Sequence, residues 1–131
     1  MSKKLVEYLS QFVTESRKKR FEEVLPFRTR HIAVVLEDIY QPHNAAAVLR
    51  SCDCFGIQDV HVIENKNKFE ANPDVELGSA KWITLYKHHA KENNTQACIT
   101  LLKKNGYKIV VTSPHKNDCS VEELDITSKT A

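Results

Sequence analysis

The chain has 131 residues, of which 27% are charged and 41% hydrophobic, and its formal net charge is +2. This length suits one domain, and the mixed charges exclude a global polycation and indicate a soluble globular protein. No apolar run could span a membrane and no signal-peptide core is present, so we expect neither insertion nor export. The four cysteines have neither disulfide-scaffold nor zinc spacing, which predicts a reducing, cytoplasmic location.

The first thirty residues have the pattern of a helical, basic arm. Residues 3–12 place apolar side chains on one side of a short helix, and Thr14 is the predicted N-cap of a second helix over residues 15–25, which Pro26 should end. Six basic residues lie in or just after this second helix: Arg17, Lys18, Lys19, Arg20, Arg28 and Arg30. From composition alone, such a run is more often a solvated helix face than a binding surface.

A strand–helix–strand unit follows the arm. Residues 31–37 contain four consecutive apolar residues, which predicts a strand buried on both faces. Asn44 is the predicted N-cap of a helix over residues 45–55, Gly56 should end that helix, and residues 59–64 form the second strand. The connection between the two strands is long enough to contain this helix, which predicts that the strands are parallel.

The rest of the chain predicts shorter elements. We expect, in chain order, a polar loop over residues 65–77, a third strand over 81–86, a helix over 94–105, a fourth strand over 107–112 and a short turn capped by Ser120. Trp82 is expected to anchor the third strand in the core. The six histidines have no metal-binding spacing, so no metal ligand is predicted. With only three glycines, the chain has no glycine-rich nucleotide loop.

Two polar residues stand out in the strand–helix–strand unit. Asn44 and Arg50 interrupt a run of small and apolar residues at the predicted mouth of a parallel sheet, where binding sites form. Plainer interpretations stay open, because Asn44 could be only a helix cap and Arg50 only a solvated surface residue. Cys52 and Cys54 do not have a metal spacing by themselves and suit packing near the helix.

The stretch from Val34 to Glu64 resembles the first motif of the SpoU-type RNA ribose 2′-O-methyltransferases, in the knotted SPOUT superfamily. The matching residues are Leu36, Glu37, Pro42, Asn44, Arg50, Ser51, Asp53, Phe55 and Gly56. Residues 14–25 resemble the basic N-terminal helix of that family's tRNA guanosine 2′-O-methyltransferase branch. Residues 78–85 resemble the Gly-Ser-x-Lys-Trp segment of the same branch.

The resemblance implies a parallel, Rossmann-like α/β sheet of SPOUT type. It implies an RNA-binding helical arm over residues 1–30 and the front part of a methyltransferase domain over residues 31–131. The family's later motifs, which form the trefoil knot and hold S-adenosylmethionine, have no match in this sequence. The cofactor-binding residues are therefore unknown, and we expect this stretch alone to be inactive. The implied parent is a homodimer that methylates a ribose 2′-hydroxyl of tRNA, or alternatively of rRNA.

The resemblance also implies roles for individual residues. A guanidinium is a poor base, so Arg50 is expected to clamp the target phosphate and stabilise the developing alkoxide. Asn44 would orient Arg50 or the ribose, and Glu37, otherwise a solvated strand end, would help position Arg50. Expected RNA contacts are Arg17, Lys18, Lys19, Arg20, Arg28, Arg30 and Lys81. Asp53 is expected to be a surface or salt-bridge residue.

Two other classes of protein stay open. The first is an RNA-binding module of the same family without catalytic activity. The second is a receiver- or flavodoxin-like regulator, which would need an acidic phosphoacceptor pocket or a flavin phosphate loop. Glu37 and Asp38 form only a weak acidic pair, and no phosphate loop is apparent.

Overall fold

A computed structural model describes residues 3–70, 72–90, 92–114 and 119–131. The regular elements are α1 (Lys3–Ser10), α2 (Glu15–Val24), β1 (Thr29–Glu37), α3 (Pro42–Cys54), β2 (Ile57–Ile63), α4 (Pro73–Glu76), β3 (Thr84–His88) and α5 (Asn94–Lys104). Three short 3-10 turns cover Leu25–Phe27, Ser79–Lys81 and Val121–Glu123. Within the described residues, no helix has the length and apolar character that crossing a bilayer requires.

The N-terminal arm consists of α1 and α2. The Thr14 hydroxyl oxygen accepts a hydrogen bond of 3.3 Å from the Arg17 backbone N–H, which confirms Thr14 as the N-cap of α2. The helix ends at Val24, and a 3-10 turn containing Pro26 leads into β1. Neither helix buries a residue, so the arm lies on the surface of the described structure.

The three strands form one parallel sheet in the order β1-β2-β3. In its register Val34 lies opposite Val60, and Val60 lies opposite Leu85. The prediction of a parallel α/β sheet is therefore confirmed. The strands begin and end within a few residues of the predicted positions, except that the third starts at Thr84 rather than at residue 81.

Side chains alternate between the two faces of the sheet, and each face has its own core. One core packs beneath α3 and contains Leu36, Leu49, Cys52, Val60, Val62 and Ile83. The other packs beneath α5 and contains Ala33, Ile63, Cys98, Leu102 and Tyr107. Alternate residues of β1 and β2 thus serve opposite cores, which explains why both strands have continuous apolar runs.

Helix α3 begins earlier than predicted. Gln41 is its N-cap, without a side-chain hydrogen bond, and Pro42 is its first residue. The prediction that Asn44 caps the helix was wrong, because proline has the backbone angle that suits the first helical position. The predicted stop is confirmed at Gly56, which has φ +70°. A Cβ at Gly56 would lie 2.3 Å from the Phe27 carbonyl oxygen, so the close approach also requires glycine.

The segment around Trp82 differs from the predicted strand. Gly78, with φ +86°, leads into the Ser79–Lys81 turn, and Trp82 follows that turn before β3 begins. Trp82 is half-buried and packs edge-on against Phe21 of α2, with ring centroids 5.5 Å apart. It therefore joins the arm to the sheet domain and does not anchor β3.

The predicted fourth strand is reduced to a single parallel bridge. Lys108 bridges Thr130, and Thr130 bridges Ile32 of β1 on its other side. The Ala33 N–H donates to the Thr130 carbonyl at 2.9 Å, and the Val110 N–H donates to the Ala131 carbonyl at 2.8 Å. Residues 129–131 thus lie between β1 and residues 108–110, and only these residues of the predicted strand pair.

Candidate functional site

The direction of the chain across the sheet reverses beside β1. From β1 the chain moves through β2 to β3, and α5 then returns it to the far side of β1, where Thr130 and Lys108 lie. In parallel α/β sheets, ligand crevices form at the carboxyl ends of the strands where the order reverses. The end of β1, at Glu37, is therefore the position at which the fold favours a site.

A cavity of about 400 Å³ opens at this position. Its lining includes Val35, Glu37, Thr95, Ile109 and Ala131 and is mostly apolar. It follows the carboxyl half of β1 on one side and the chain after Lys108 on the other. The cavity can take an apolar group or an extended segment of chain between two backbone edges.

Glu37 is held by two neighbours in this crevice. Its Oε1 atom accepts a short hydrogen bond from the Thr95 hydroxyl and one of 3.3 Å from the Asn65 side-chain amide. These bonds tie the end of β1 to α5 and to the loop after β2. The structure shows no hydrogen bond or ion pair between Glu37 and Arg50, so the expected positioning of Arg50 by Glu37 is not observed.

Arg50 and Asn44 are both exposed on α3. They lie nearly two turns apart on different sides of the helix, so their side chains do not meet. With the described residues, neither side chain makes a hydrogen bond or an ion pair. The structure therefore does not assemble Glu37, Asn44 and Arg50 into one contact cluster, and it leaves the Arg50 guanidinium open to an external ligand.

The basic run of α2 lies next to Lys81. Arg17, Lys19 and Arg20 are exposed and Lys18 is half-buried. The Arg17 guanidinium lies 5.8 Å from the Phe21 ring centroid, and Phe21 packs on Trp82, the neighbour of exposed Lys81. The Phe21–Trp82 contact thus places Lys81 beside the arm. We call the residues Arg17, Lys18, Lys19, Arg20 and Lys81 the basic surface.

Arg28 belongs to the packing of the sheet domain. Its side chain is only 6% exposed and forms a 2.8 Å ion pair with Asp53. It also donates to the Gln58 side chain at 2.6 Å and to the Ile57 carbonyl at 3.1 Å. Because the Arg28 guanidinium already makes these contacts, few of its N–H donors remain to bind a phosphate. The expected RNA contact of Arg28 is therefore not supported. Asp53 is its ion-pair partner, in line with the salt-bridge role expected of it.

Arg30 is also engaged within the fold. It forms an ion pair with buried Asp59 and donates to the Tyr86 hydroxyl at 3.4 Å. The hydrogen bonds to Asp59 and then to Tyr86 raise the pKa of Arg30 above its usual value. Removing Arg30 would leave a buried carboxylate unpaired, so Arg30 is needed by the fold whether or not it also meets RNA.

Asp38 was considered in the sequence only as half of a weak acidic pair, and the structure gives it a role that was not predicted. Its Oδ1 atom accepts hydrogen bonds of 2.8 to 3.2 Å from the backbone N–H groups of Asn65, Lys66 and Asn67. These bonds lower the pKa of the Asp38 carboxyl, and the bond from the Lys66 N–H has the largest effect. Asp38 therefore fixes the loop after β2, and this is not the arrangement of a receiver phosphoacceptor. The sequence signal that could have indicated this role is an aspartate directly after a strand and before a polar loop.

A second, wider cavity lies on the outer side of that loop. Its volume is about 670 Å³, and its lining includes Glu64, Lys66, Lys68, Phe69 and Lys87. Lys87 contacts the face of Phe69 at 5.6 Å and lies 3.7 Å from the Glu64 carboxylate. Lys66 and Lys68 are exposed at its rim, where they can meet an anionic ligand.

Comparison with known proteins identifies relatives of the whole described fold. Residues 31–131 match the sequence model of the SpoU rRNA Methylase family. A tRNA (guanosine(18)-2'-O)-methyltransferase of Borreliella burgdorferi is 45% identical over 128 residues, which cover 98% of this chain and 57% of that protein. The protein of the same name in Thermus thermophilus is 31% identical over 118 residues, covering 90% and 59%.

A solved structure with a similar fold comes from the same family. The crystal structure of the A. aeolicus TrmH/SpoU tRNA modifying enzyme matches with a TM-score of 0.73 and 31% sequence identity, over 88% of this chain and 57% of that one. The chain thus spans somewhat more than half the length of these relatives. The agreement of motif, sequence and fold excludes a receiver- or flavodoxin-like regulator. The chain belongs to the SpoU rRNA Methylase family.

Proposed function

We propose that the protein carrying this chain transfers a methyl group from S-adenosylmethionine to the ribose 2′-hydroxyl of a tRNA guanosine, at position 18 as in the names of its relatives. The observation that carries the proposal is the 45% identity to one such enzyme over nearly the whole chain. The exposed and unpaired Arg50, within the motif that resembles the family's first motif, supports it from the structure.

Arg50 supplies charge and does not act as a base. A guanidinium keeps its proton far above neutral pH, so it cannot remove the proton of the ribose hydroxyl. It can bind the phosphate beside the target ribose through paired N–H donors and stabilise the oxyanion as the hydroxyl attacks. Asn44, near the start of α3 and also exposed, would bind a different part of the RNA.

The methyl donor brings an electrophilic methyl group on a sulfonium when it is bound. We assign none of the described residues to its site. The cavity beside β1 is mostly apolar, and the Glu37 carboxylate already accepts hydrogen bonds from Thr95 and Asn65. No glycine-rich loop is present to hold a nucleotide. The roles proposed for Arg50 and Asn44 therefore concern the RNA alone.

The basic surface is the proposed contact for the tRNA backbone. Arg17, Lys19, Arg20 and Lys81 are exposed, and the contact between Phe21 and Trp82 packs α2 against the segment that carries Lys81. Phosphate contacts of this kind supply sequence-independent affinity that falls as salt rises. Arg28 is left out of this proposal because its ion pair with Asp53 occupies it.

The test uses the protein encoded by the complete gene, labelled S-adenosylmethionine and two tRNA transcripts. One transcript has guanosine at position 18 and the other has adenosine there. We expect label only in the first, in a dinucleotide that resists alkaline cleavage because its 2′-hydroxyl is blocked. Equal labelling of both transcripts would contradict the proposed position. Salt-dependent tRNA binding without labelling would favour the inactive RNA-binding module and contradict the methyltransferase.

We extend the proposal to a homodimer in the cytoplasm, as the family resemblance implies. Light scattering of the complete protein should give twice the mass of one chain. A single-chain mass at the concentrations used in the methylation assay would contradict the dimer. Fractionation of cells that express the tagged protein tests the cytoplasmic location.

A further inference from the structure

Three side chains that can bind a metal converge where α5 crosses the sheet. His61 lies on β2, His88 ends β3, and Cys98 lies on α5. Their potential ligand atoms, one per residue, all lie within 4.8 Å of one another. Among the described residues, these three form the cluster of histidine, cysteine and acidic side chains that is close enough to hold one metal ion. The three residues are far apart in sequence, so no spacing pattern could reveal them.

The two histidines already face each other as two ligands of one ion would. His61 Nδ1 lies 3.0 Å from His88 Nε2, within hydrogen-bond distance. Two imidazole nitrogens bound to one tetrahedral zinc ion at about 2.0–2.1 Å are separated by about 3.3 Å. A metal ion could therefore take the place of the shared proton with a small separation of the rings. The Cys98 sulfur, which lies within 4.8 Å of both imidazole ligand atoms, would have to move toward them to reach a Zn–S distance of about 2.3 Å.

The surroundings hold the rings in place and leave a route for an ion. The His61 ring stacks on Tyr86, with centroids 4.7 Å apart, and also on His88 at 5.3 Å. His61 is 6% exposed and Cys98 is fully buried, whereas His88 is half-buried and borders solvent. An ion can thus enter from the His88 side.

Burial shifts the pKa of all three side chains. It lowers the pKa of His61 and of His88. Burial raises the pKa of the Cys98 thiol to about 11, so without a metal the thiol is protonated. A bound cation lowers a thiol pKa strongly and releases the proton to solvent.

We propose that His61, His88 and Cys98 form a binding site for Zn²⁺, with the fourth position of the tetrahedron open to water. Two imidazoles and a thiolate suit zinc better than they suit magnesium or calcium, which prefer oxygen ligands. The ion would join β2, β3 and α5 at one point. The site is separate from Arg50 and from the basic surface, so it does not depend on the proposed methyl transfer.

The test adds Zn²⁺ or Co²⁺ to the complete protein after chelator treatment and dialysis. We expect one Zn²⁺ per chain in equilibrium dialysis. With Co²⁺ we expect a thiolate-to-cobalt charge-transfer band and the visible bands of a tetrahedral ion, which require no mutation to observe. Absence of saturable Zn²⁺ binding, or Co²⁺ spectra of an octahedral ion without sulfur, would overturn the proposal.

Variants assign the ligands. Cys98→Ser should remove the charge-transfer band and weaken Zn²⁺ binding by about tenfold or more, and His88→Asn should weaken binding to a similar extent. Cys54→Ser and Cys119→Ser are matched controls, because both cysteines are exposed free thiols. Their spectra should equal that of the parent. A band that persists in Cys98→Ser and disappears in Cys119→Ser would overturn the assignment, and circular dichroism shows whether each variant is folded.

Discussion

The arm and the sheet domain contrast in how they use their apolar residues. In α1 and α2 no residue is buried. Leu9 of α1 is 49% exposed, and Phe12, between the two helices, is 69% exposed. In the strand–helix–strand unit, Leu49 and Val60 are completely buried. The arm is attached through the Phe21–Trp82 contact, whereas the sheet domain has a core on each face.

This contrast predicts that binding and stability depend on different parts of the molecule. Substitutions in the arm should alter what the protein binds, with little effect on its folding. Substitutions inside the sheet domain should alter folding first. Arg50 is the informative exception, because it lies on a helix of the sheet domain and yet its side chain is exposed.

The largest expected effect is on stability, and it tests the contrast directly. Leu49→Ala removes a fully buried side chain beneath α3 and should lower the free energy of unfolding by about 2–5 kcal/mol. Leu9→Ala, the matched control in α1, should change it by less than about 1 kcal/mol because Leu9 is half-exposed. Urea denaturation measures both values. Equal losses would show that the arm has a core of its own.

The second prediction concerns Arg50. Arg50→Ala in the complete protein should slow methyl transfer by about 100-fold or more, if the guanidinium stabilises charge that develops only in the transition state. The midpoint of urea denaturation and the affinity for S-adenosylmethionine should not change, because the side chain is exposed and unpaired. Lys104→Ala, which removes an exposed cation from α5, is the control. Turnover near that of the parent would exclude a catalytic role.

The third prediction concerns the basic surface. Replacement of Arg17, Lys18, Lys19 and Arg20 by alanine should weaken tRNA binding and flatten its dependence on salt, because fewer counterions are released on binding. Fluorescence anisotropy at several salt concentrations gives both quantities. A variant with Lys103 and Lys104 replaced shows how much the loss of two positive charges elsewhere on the surface changes binding. An unchanged slope would mean that the run is a solvated helix face.

The smallest effect concerns the loop held by Asp38. The pKa of this carboxyl is lowered in the folded protein, chiefly by the backbone hydrogen bond from Lys66. The stabilisation that the Asp38 carboxylate gives the folded protein is therefore fully present at pH values above its pKa in the unfolded chain. This stabilisation is lost as the pH falls through its pKa in the folded protein. Acidification should speed hydrogen exchange of the Asn65 and Lys66 amides before the sheet amides. Asp38→Asn should give that faster exchange already at neutral pH, whereas equal rates in both proteins would exclude the carboxylate as the acceptor.

Local patterns were sufficient for the regular elements of the sheet domain. The apolar runs of β1 and β2, the stop at Gly56 and the cap at Thr14 depend on neighbours in sequence, and all are observed. The start of α3 was missed because two signals compete there. Pro42 favours the first helical position more strongly than Asn44 favours the cap.

Roles that depend on distant partners could not be predicted in the same way. Nothing near Arg28 in sequence shows that it will meet Asp53, and nothing near Glu37 indicates Thr95. The strand predicted over residues 107–112 failed for a similar reason, since its pairing depends on Thr130. The roles of Asn44 and Arg50 come from the family resemblance and stay predictions.

The position of Thr130 has a consequence for how the chain folds. Its backbone N–H donates to the His31 carbonyl at 3.0 Å, so it joins residues about 100 positions apart in sequence. The β1-α3-β2 unit, by contrast, pairs strands that are close in sequence and can form early. A pairing that closes so long a loop forms slowly, because its entropic cost must be met before the contact contributes. During synthesis, the edge of β1 that Thr130 covers must therefore remain unpaired until nearly all of these residues have left the ribosome.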